Sequence, residues 1–339
     1  MKYILNKSQV RTTNNFGIND IKVDLDIKET NFNQYKFSNT KDIIIEESIK
    51  NNYNSRIGLT SNKYLNINIT PQRDIDKIII NYDFSDDNNY LVSTININLE
   101  YNMNVIICYR SNNKSINNSK ISIKTNKDIK SNISIINLVS DDSMSFISID
   151  NEVLDNSNIV TNYFDLSGSL RISNYYSNIC GKNGESNFNT IYIGDNDDRL
   201  DMNYYTVNNN EKTKGNMVFE GLLLGNSFKS LKGTIDFMNN SKESVGKENE
   251  NCLLLSNTCK SKSLPIILCN EEDVEGSHGM SSGKIDDNKL FYLMSRGIEE
   301  KDAKKLIIMS RFEPILNNIL DDDIKEEVIE VLNKKISQG

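Results

Sequence analysis

His278 is the one histidine of this 339-residue chain, and histidine is the commonest metal-binding side chain of proteins. An imidazole can bind a metal ion through one ring nitrogen while a carboxylate or a carbonyl oxygen holds the other. Asp273 and Glu275 stand nearby in the sequence and are the local candidates for that carboxylate. The alternative is a surface histidine that caps a turn, and the residue types alone leave both interpretations open.

Five cysteines are the other side chains with metal or sulfur chemistry. Their odd number argues against a disulfide framework, and no Cys-x-x-Cys pair occurs. The spacing also argues against a zinc ribbon or a cysteine-only cluster, so any metal site is incomplete within this chain. Apolar strand patterns predict that four of the five are small buried side chains, namely Cys108, Cys180, Cys252 and Cys269.

Short strands are the elements that must position these residues. From about residue 121 to residue 270, pairs such as Ile121/Ile123 and Leu170/Ile172 alternate with polar residues, and polar turns separate the segments. An antiparallel sandwich would show the same alternation, but the Asn-Gly turn that its hairpins favour occurs only at Asn183–Gly184. The near-even spacing therefore favours a mainly β fold built around a parallel β-helix, a solenoid.

The chain divides into three regions on this pattern. Residues 1–120 form a strand-rich N-terminal region leading into the solenoid, residues 121–285 form the parallel β-helix core, and residues 286–339 form a small C-terminal α-helical domain. Within the first region, residues 30–61 fit either a loop or a short helix.

Helical signals begin abruptly after the last candidate strand. Asp286 can cap a first helix, and Gly297 suits its left-handed exit. A second helix is predicted over residues 299–311. Pro314 is expected to interrupt or kink the chain just beyond it, because proline has no N–H to donate. The acidic run before residues 323–336 suits the positive end of a third helix.

Charge argues against two classes of partner. With 39 basic and 47 acidic side chains the net charge is -8, and no basic stripe with interleaved aromatics occurs, so nucleic acid and anionic membranes are not expected partners. The apolar stretch at the N-terminus is too short for a signal peptide, and no apolar run approaches the roughly 18 residues of a membrane span. The protein is expected to remain in the cytoplasm.

The segment that begins at Leu253, LLLSNTCKSKSLPIILCNEEDVEGSHGMSSGKIDDNKLFYLMSRGIEEKDAKKLI, resembles the C-terminal half of SufB/SufD iron–sulfur cluster assembly proteins. Its ordered elements include the LLLS strand, the acidic DV turn, Ser277-His278-Gly279, LFYL and SRGI. The preceding segment GLLLGNSFKSLKGTIDF resembles the strand pair just before it. The resemblance covers roughly the last half of the chain and is closest to SufD.

This resemblance implies a right-handed parallel β-helix whose C-terminal helices dock onto SufC, an ABC-type ATPase. It also implies a SufB-type partner subunit, or a second copy of the chain, with a nascent iron–sulfur cluster shared transiently at the subunit interface. His278 matches the position implicated in cluster assembly there. A desulfurase would donate sulfur only indirectly. The chain has no G-x-x-x-x-G-K-[ST] loop, so the resemblance implies a scaffold that is not an enzyme and binds no nucleotide.

Cys259 lies six residues before Pro265, where SufB-type sequences place the cysteine that receives sulfur or holds the cluster. A thiolate would be required, and Lys260 and Lys262 could favour it. The local CKSKSLP differs from the usual SufB pattern, however, and Gly279 replaces the acid expected after the histidine. These departures favour a SufD-like role, while a short SufB-like subunit that uses Cys259 stays as the alternative.

The helical domain contributes four candidate contacts for SufC, which packing within the domain would explain equally well: Phe291, Tyr292, Arg296 and Phe312. A third interpretation belongs to another class, a solenoid that binds or cleaves polysaccharide. It would need paired carboxylates on adjacent turns, and the acidic cluster from Asp195 to Asp201 is explained more simply as a solvated turn.

Overall fold

Two long β-sheets form most of the structure. The computed structural model describes residues 2–12, 17–30 and 32–337. The first sheet contains, in spatial order, β3 (Tyr35–Ser38), β6 (Ile75–Phe84), β8 (Met103–Ser111), β10 (Lys130–Leu138), β12 (Asn158–Asp165), β14 (Glu185–Gly194), β16 (Lys214–Leu223), β18 (Ser244–Leu254) and β20 (Val274–Gly283). The second contains β4 (Ile43–Asn54), β5 (Thr60–Pro71), β7 (Tyr90–Leu99), β9 (Ile116–Thr125), β11 (Met144–Val153), β13 (Leu170–Ile179), β15 (Arg199–Asn208), β17 (Phe228–Phe237) and β19 (Lys260–Cys269).

Successive strands alternate between the two sheets, so each pair of strands completes one turn of a solenoid. From β5 and β6 onward the strands of each sheet pair in parallel, which confirms the predicted parallel solenoid. These turns begin at Thr60, well before the boundary near residue 121. The stretch 30–61, for which a loop or short helix was considered, contains β3 and β4, which pair antiparallel with β6 and β5.

The space between the sheets, the lumen, is filled by every second side chain of each strand. One inward position, for example, is occupied in successive turns of the first sheet by Ile80, Ile107, Ile135 and Tyr163, all fully or almost fully buried. Such stacking explains the two-residue period, because a strand turns alternate side chains to opposite faces. Each turn covers the apolar row of the turn before it.

Three helices follow the last strand: α1 (Asp287–Ser295), α2 (Glu300–Leu316) and α3 (Asp322–Ile336). The Asp286 side chain accepts a hydrogen bond from the Asn288 N–H, and Gly297 has a φ of 88°, as the sequence predicts for the first helix. Pro314 lies inside α2 and does not end it. Proline removes one backbone hydrogen bond from the last turn of α2. The buried side chains of Ile315 and Leu316 pack that turn against the neighbouring elements.

The two sheets are covered on their outer faces by different parts of the chain. Apolar residues of α2 and α3, including Phe312 and Val328, share one buried cluster with outward side chains of the first sheet such as Phe164. The N-terminal segment, which contains the antiparallel pair β1 (Lys2–Leu5) and β2 (Ile21–Asp24), packs against the second sheet. None of the helices in the described part of the chain is long and apolar enough to cross a membrane.

Candidate functional site

The solenoid ends on two edge strands. β19 and β20 are the last strands of their sheets, and none of the described strands pairs with their outer edges. The N–H groups of Lys260 and Asn270 donate back to the preceding turn, to Ser227 and Phe237. Because hydrogen bonds of a parallel strand alternate sides, the residues between them at odd positions present their backbone groups to the open side. We call the exposed face of β19 and β20 the open end.

Pro265 fits this edge because of its position. It occupies one of the odd positions, so the N–H that proline lacks would have pointed out of the open end and not toward β17. The hydrogen bonds between β19 and β17 are therefore all retained. Proline on an edge strand also limits nonspecific strand pairing, because one backbone N–H is missing there. The open end therefore suits a partner strand that needs no hydrogen bond from that position.

His278 lies on β20 at the last position of one inward ladder. In successive turns of the first sheet this ladder contains Ile133, Thr161, Phe188, Met217, Glu248 and His278. The register places the imidazole on the same face as the Glu248 side chain, one strand further out. His278 is nevertheless exposed, because none of the described turns covers it. The fold thus places the one histidine at the mouth of the lumen.

Glu248 is buried directly beneath that position. Its exposed fraction is 0%, and neither carboxylate oxygen has a hydrogen-bond partner among the described residues. Burial, followed by repulsion from Glu250, raises the pKa of its carboxyl from 4.5 to about 8. Gly233 makes the space, since a Cβ at that position would collide with Oε1 of Glu248. An acid with these properties inside an apolar ladder is the least expected feature of the core.

A second buried carboxylate, Glu250, has a full set of partners. Lys229 donates to its Oε1 and also to the Ser263 hydroxyl at 2.8 Å, with both charged side chains fully buried. Tyr192 donates to Oε1 at 2.6 Å, and Ser263 donates to Oε2 at 2.5 Å. This network spans the lumen from β14 through β17 and β18 to β19. Each of its three donors bonds to Glu250, and Glu248 receives a hydrogen bond from none of them.

The structure does not bring Cys259 beside His278. Ser261 Oγ lies 2.9 Å from Ser282 Oγ, and this contact across the lumen sets His278 opposite Pro265. A strand rises about 3.3 Å per residue, so Cys259 is roughly 15–20 Å from that point. Its side chain is 9% exposed and donates to the Ser256 carbonyl at 3.2 Å.

The four cysteines predicted to be core residues divide into two groups. Cys108 and Cys252 are buried, and burial raises the pKa of each thiol, to about 12 for Cys108. Cys180 is only partly buried, and Cys269 is exposed. The prediction for Cys269 is wrong because β19 is an edge strand, and no further turn within the described residues covers that position.

The two acids proposed as partners of the histidine lie away from its ring. Glu275 is three residues before His278 on β20, and an odd offset puts its side chain on the outer face of the sheet. Asp273 precedes the strand, is exposed, and accepts the Glu243 N–H through its carbonyl at 2.7 Å. Across the described residues, no group of three or more His, Cys, Asp or Glu side chains could hold a metal ion.

The four candidate docking residues differ in their exposure to solvent. Phe291 and Tyr292 on α1 are 73% and 57% exposed, and α1 contains no buried residue among those described. The Arg296 guanidinium lies 5.4 Å from the centre of the Tyr292 ring. Phe312 is fully buried between the helices and the first sheet, so it is a packing residue and cannot contact a partner.

Sequence reasoning missed Glu248, Lys229 and their neighbours in the lumen. Glu248 and Glu250 share the strand parity of the buried Cys252, which is the one local signal that they point inward. Charged residues in a period-two pattern normally indicate the solvent-exposed face of a strand, so these two glutamates are easily assigned to the outer face of the sheet.

More than half of the chain matches a known protein family. A family model described as the SUF system iron–sulfur cluster assembly SufBD core domain matches residues 84–311. SufD of Bacillus subtilis is 23% identical over 165 residues, which cover 49% of this chain and 38% of that protein. SufD of Escherichia coli is 23% identical over 176 residues, which cover 52% of this chain and 42% of that protein.

A SufBD family protein of Pyrococcus horikoshii is 28% identical over 159 residues, which cover 47% of this chain and 35% of that protein. Each of these alignments spans less than half of the relative's own length. The family model, in contrast, spans more than half of this chain. On that match, the chain belongs to the SufBD core family of the SUF iron–sulfur cluster assembly system.

Proposed function

We propose that this protein is a SufD-like scaffold subunit, not an enzyme, that works with a SufB-type subunit and a SufC-type ABC ATPase. The observation that carries the proposal is the open end, where the one histidine stands at the mouth of a solenoid that ends on two edge strands. Two relatives named SufD support the same role. Membership of this family also favours a scaffold over a polysaccharide-binding solenoid.

The open end supplies the subunit interface in this proposal. Edge strands present rows of unpaired N–H and C=O groups, and a partner strand can extend a sheet by bonding to them. Here both sheets end at the same place, so one partner could continue the two together. A SufB-type subunit is the proposed partner, and a second copy of the chain would meet the same backbone groups.

His278 would supply one ligand to a nascent cluster at that interface. The described residues hold no complete metal site, so the other ligands would come from the partner subunit. The cluster is therefore the cargo of the assembly, shared for a short time, and not a resident cofactor. Cys259 is a weaker candidate for that cluster, because its thiol is buried and lies far from His278 along the lumen.

The exposed face of α1 would dock the ATPase. The described side chains of α1 are exposed or only partly buried, so this helix gains little from packing on its own domain. Phe291, Tyr292 and Arg296 are exposed and are residue types that concentrate binding energy at interfaces. Laying such a helix into a groove of a partner would bury both rings. The ATP chemistry would then reside in that partner.

Co-purification tests this division of the surface. The tagged chain, produced with SufB-type and SufC-type proteins, is expected to retain both. The double change Phe291→Ser and Tyr292→Ser should lose the ATPase and keep the SufB-type subunit. Leu320→Ser, which changes an exposed apolar residue between α2 and α3, is the matched control and should keep both. Retention of the ATPase by the double variant would refute the docking site.

Anaerobic reconstitution with iron and sulfide tests the cluster role. The pair with a SufB-type subunit should form a cluster in wild type and lose most of it with His278→Ala, while Cys259→Ala should retain it. Ser277→Ala, a neighbour whose side chain has the opposite strand parity, serves as the control. If the lone chain forms a cluster that requires Cys259, the SufB-like alternative is correct and the scaffold role is not.

A further inference from the structure

We infer that Glu248 is the carboxyl partner of His278, a positioning residue that holds the imidazole in one orientation at the open end. The inference rests on the proposed function only for the use made of the ring. The pairing itself is a property of the folded chain. It replaces Asp273, which precedes the strand, and Glu275, whose side chain lies on the opposite face of the strand.

The register is the first ground for the pairing. Glu248 and His278 are direct register partners on neighbouring parallel strands, and their side chains leave the sheet on the same face. Neighbouring strands lie about 4.8 Å apart, so a glutamate carboxyl and an imidazole at paired positions are within reach of one hydrogen bond. His278 is exposed and none of the described turns lies above it, so its ring has room to rotate toward the lumen.

The missing hydrogen-bond partners of Glu248 are the second argument for the pairing. Both of its oxygens lack a partner among the described residues although the side chain is fully buried, and a polar group left in that state is costly. The three donors of the neighbouring network, Lys229, Tyr192 and Ser263, all bond to Glu250. None of them bonds to Glu248.

Among the described residues that flank Glu248 in its ladder or face it across the lumen, His278 alone has a side chain that can donate. Its neighbour in the preceding turn, Met217, has no hydrogen to donate, and across the lumen Gly233 has no side chain at all. Pro265, which covers Gly233 in the last turn, has neither a donor side chain nor an N–H. His278 is the remaining ladder neighbour, and its ring carries the N–H that fits. The gap at Gly233 gives the carboxyl the room to meet it.

The pairing has a direct consequence for the site. A carboxyl on one ring nitrogen selects a single tautomer and orientation, and it makes the other nitrogen a better metal ligand. That second nitrogen is then directed out of the lumen, toward the edge that the proposed partner subunit would cover. Because the acid comes from the preceding turn, the position of the ring is set before any partner binds.

The single histidine makes the test unambiguous, because every imidazole signal in the nitrogen-15 NMR spectrum of the full chain is from His278. The spectrum is recorded above the usual titration range of histidine. Wild type should show one tautomer in about tenfold excess, with a slowly exchanging ring proton. Glu248→Leu should lose both features. Glu248→Gln, whose amide oxygen still accepts, should retain the bias in part.

Glu275→Gln is the matched control, since it removes a carboxylate from the strand of His278 but from the opposite face. It should leave the imidazole signals unchanged. A tautomer mixture with fast exchange in wild type would overturn the pairing, even if Glu248→Leu failed to fold. An unchanged spectrum in a folded Glu248→Leu variant would also overturn it. The metal-free chain is measured throughout, so failure here is distinct from failure of cluster reconstitution.

Discussion

The buried carboxyl of Glu248 makes the stability of this protein depend on pH in an unusual direction. Its pKa rises from 4.5 to about 8 on folding, chiefly because burial disfavours the charged form and then because Glu250 repels it. Between those two values the folded chain holds a proton that the unfolded chain has released. The free energy of unfolding should therefore be highest below pH 4.5 for this group and fall as pH rises to about 8.

The size of this pH dependence is set by the shift in the pKa of Glu248. Each pH unit across which one proton separates the two states is worth about 1.4 kcal/mol, so the fall from pH 5 to pH 8 is roughly 4 kcal/mol as an upper value. The inferred hydrogen bond from His278 favours the ionised carboxylate and reduces this fall. Most domains have only about 5–15 kcal/mol in total, so the change is measurable. Asp198 and Glu220, whose pKa values burial also raises, add to the fall.

Glu248→Gln isolates the contribution of this one group, because the amide has the same shape and does not titrate. Urea unfolding at pH 5 should give wild type and variant within about 1 kcal/mol of each other. At pH 8.5 the variant should be the more stable protein. Glu275→Gln, the same charge change at an exposed position, should match wild type at both values. A difference between wild type and Glu248→Gln that does not change with pH would refute the reasoning.

Two further pairs of variants test the lumen network and the open end. Lys229→Met should cost about 3–5 kcal/mol of unfolding free energy, because it leaves Glu250 buried without its countercharge. The control Lys182→Met breaks an exposed ion pair of 2.7 Å with Glu211 and should leave the urea midpoint unchanged. Equal losses of unfolding free energy in the two lysine variants would contradict the role of Lys229 as a buried countercharge. Leu268→Pro should lower the midpoint, since that N–H lies on the β17 side, whereas Cys269→Pro should keep it and weaken binding of the SufB-type subunit. Equal stability of the two proline variants would show that the edge is misassigned.

Local patterns were enough to predict the regular elements. Alternation within segments such as Leu170/Ile172 indicated strands, because a strand turns successive side chains to opposite faces whatever its partner is. The first helix was bounded correctly from Asp286 and Gly297, since a cap and a left-handed exit are short-range hydrogen-bonding features. The interruption expected at Pro314 does not occur, because packing of buried side chains holds the last turn of α2 together.

Other properties depend on pairing across whole turns and were open until the strands were placed. The first parallel turn starts with β5, since β5 pairs in parallel with β7 on one side and antiparallel with β4 on the other. Cys269 was predicted to be buried from an apolar strand, but it lies on an edge strand, where the described turns do not cover it. Phe312 was a candidate contact, and only packing of the helices on the first sheet shows that it is inside.

The candidate site divides in the same way. The sequence by itself singled out His278, since it is the one imidazole of the chain and lies in the segment that resembles SufB/SufD proteins. Only the tertiary structure showed which carboxyl stands beneath it. Glu248 is 30 residues away in the chain, and the two meet because one turn of the solenoid returns the backbone to the same ladder position. Sequence proximity favoured Asp273 and Glu275, whereas strand register, a property of pairing between turns, selected Glu248.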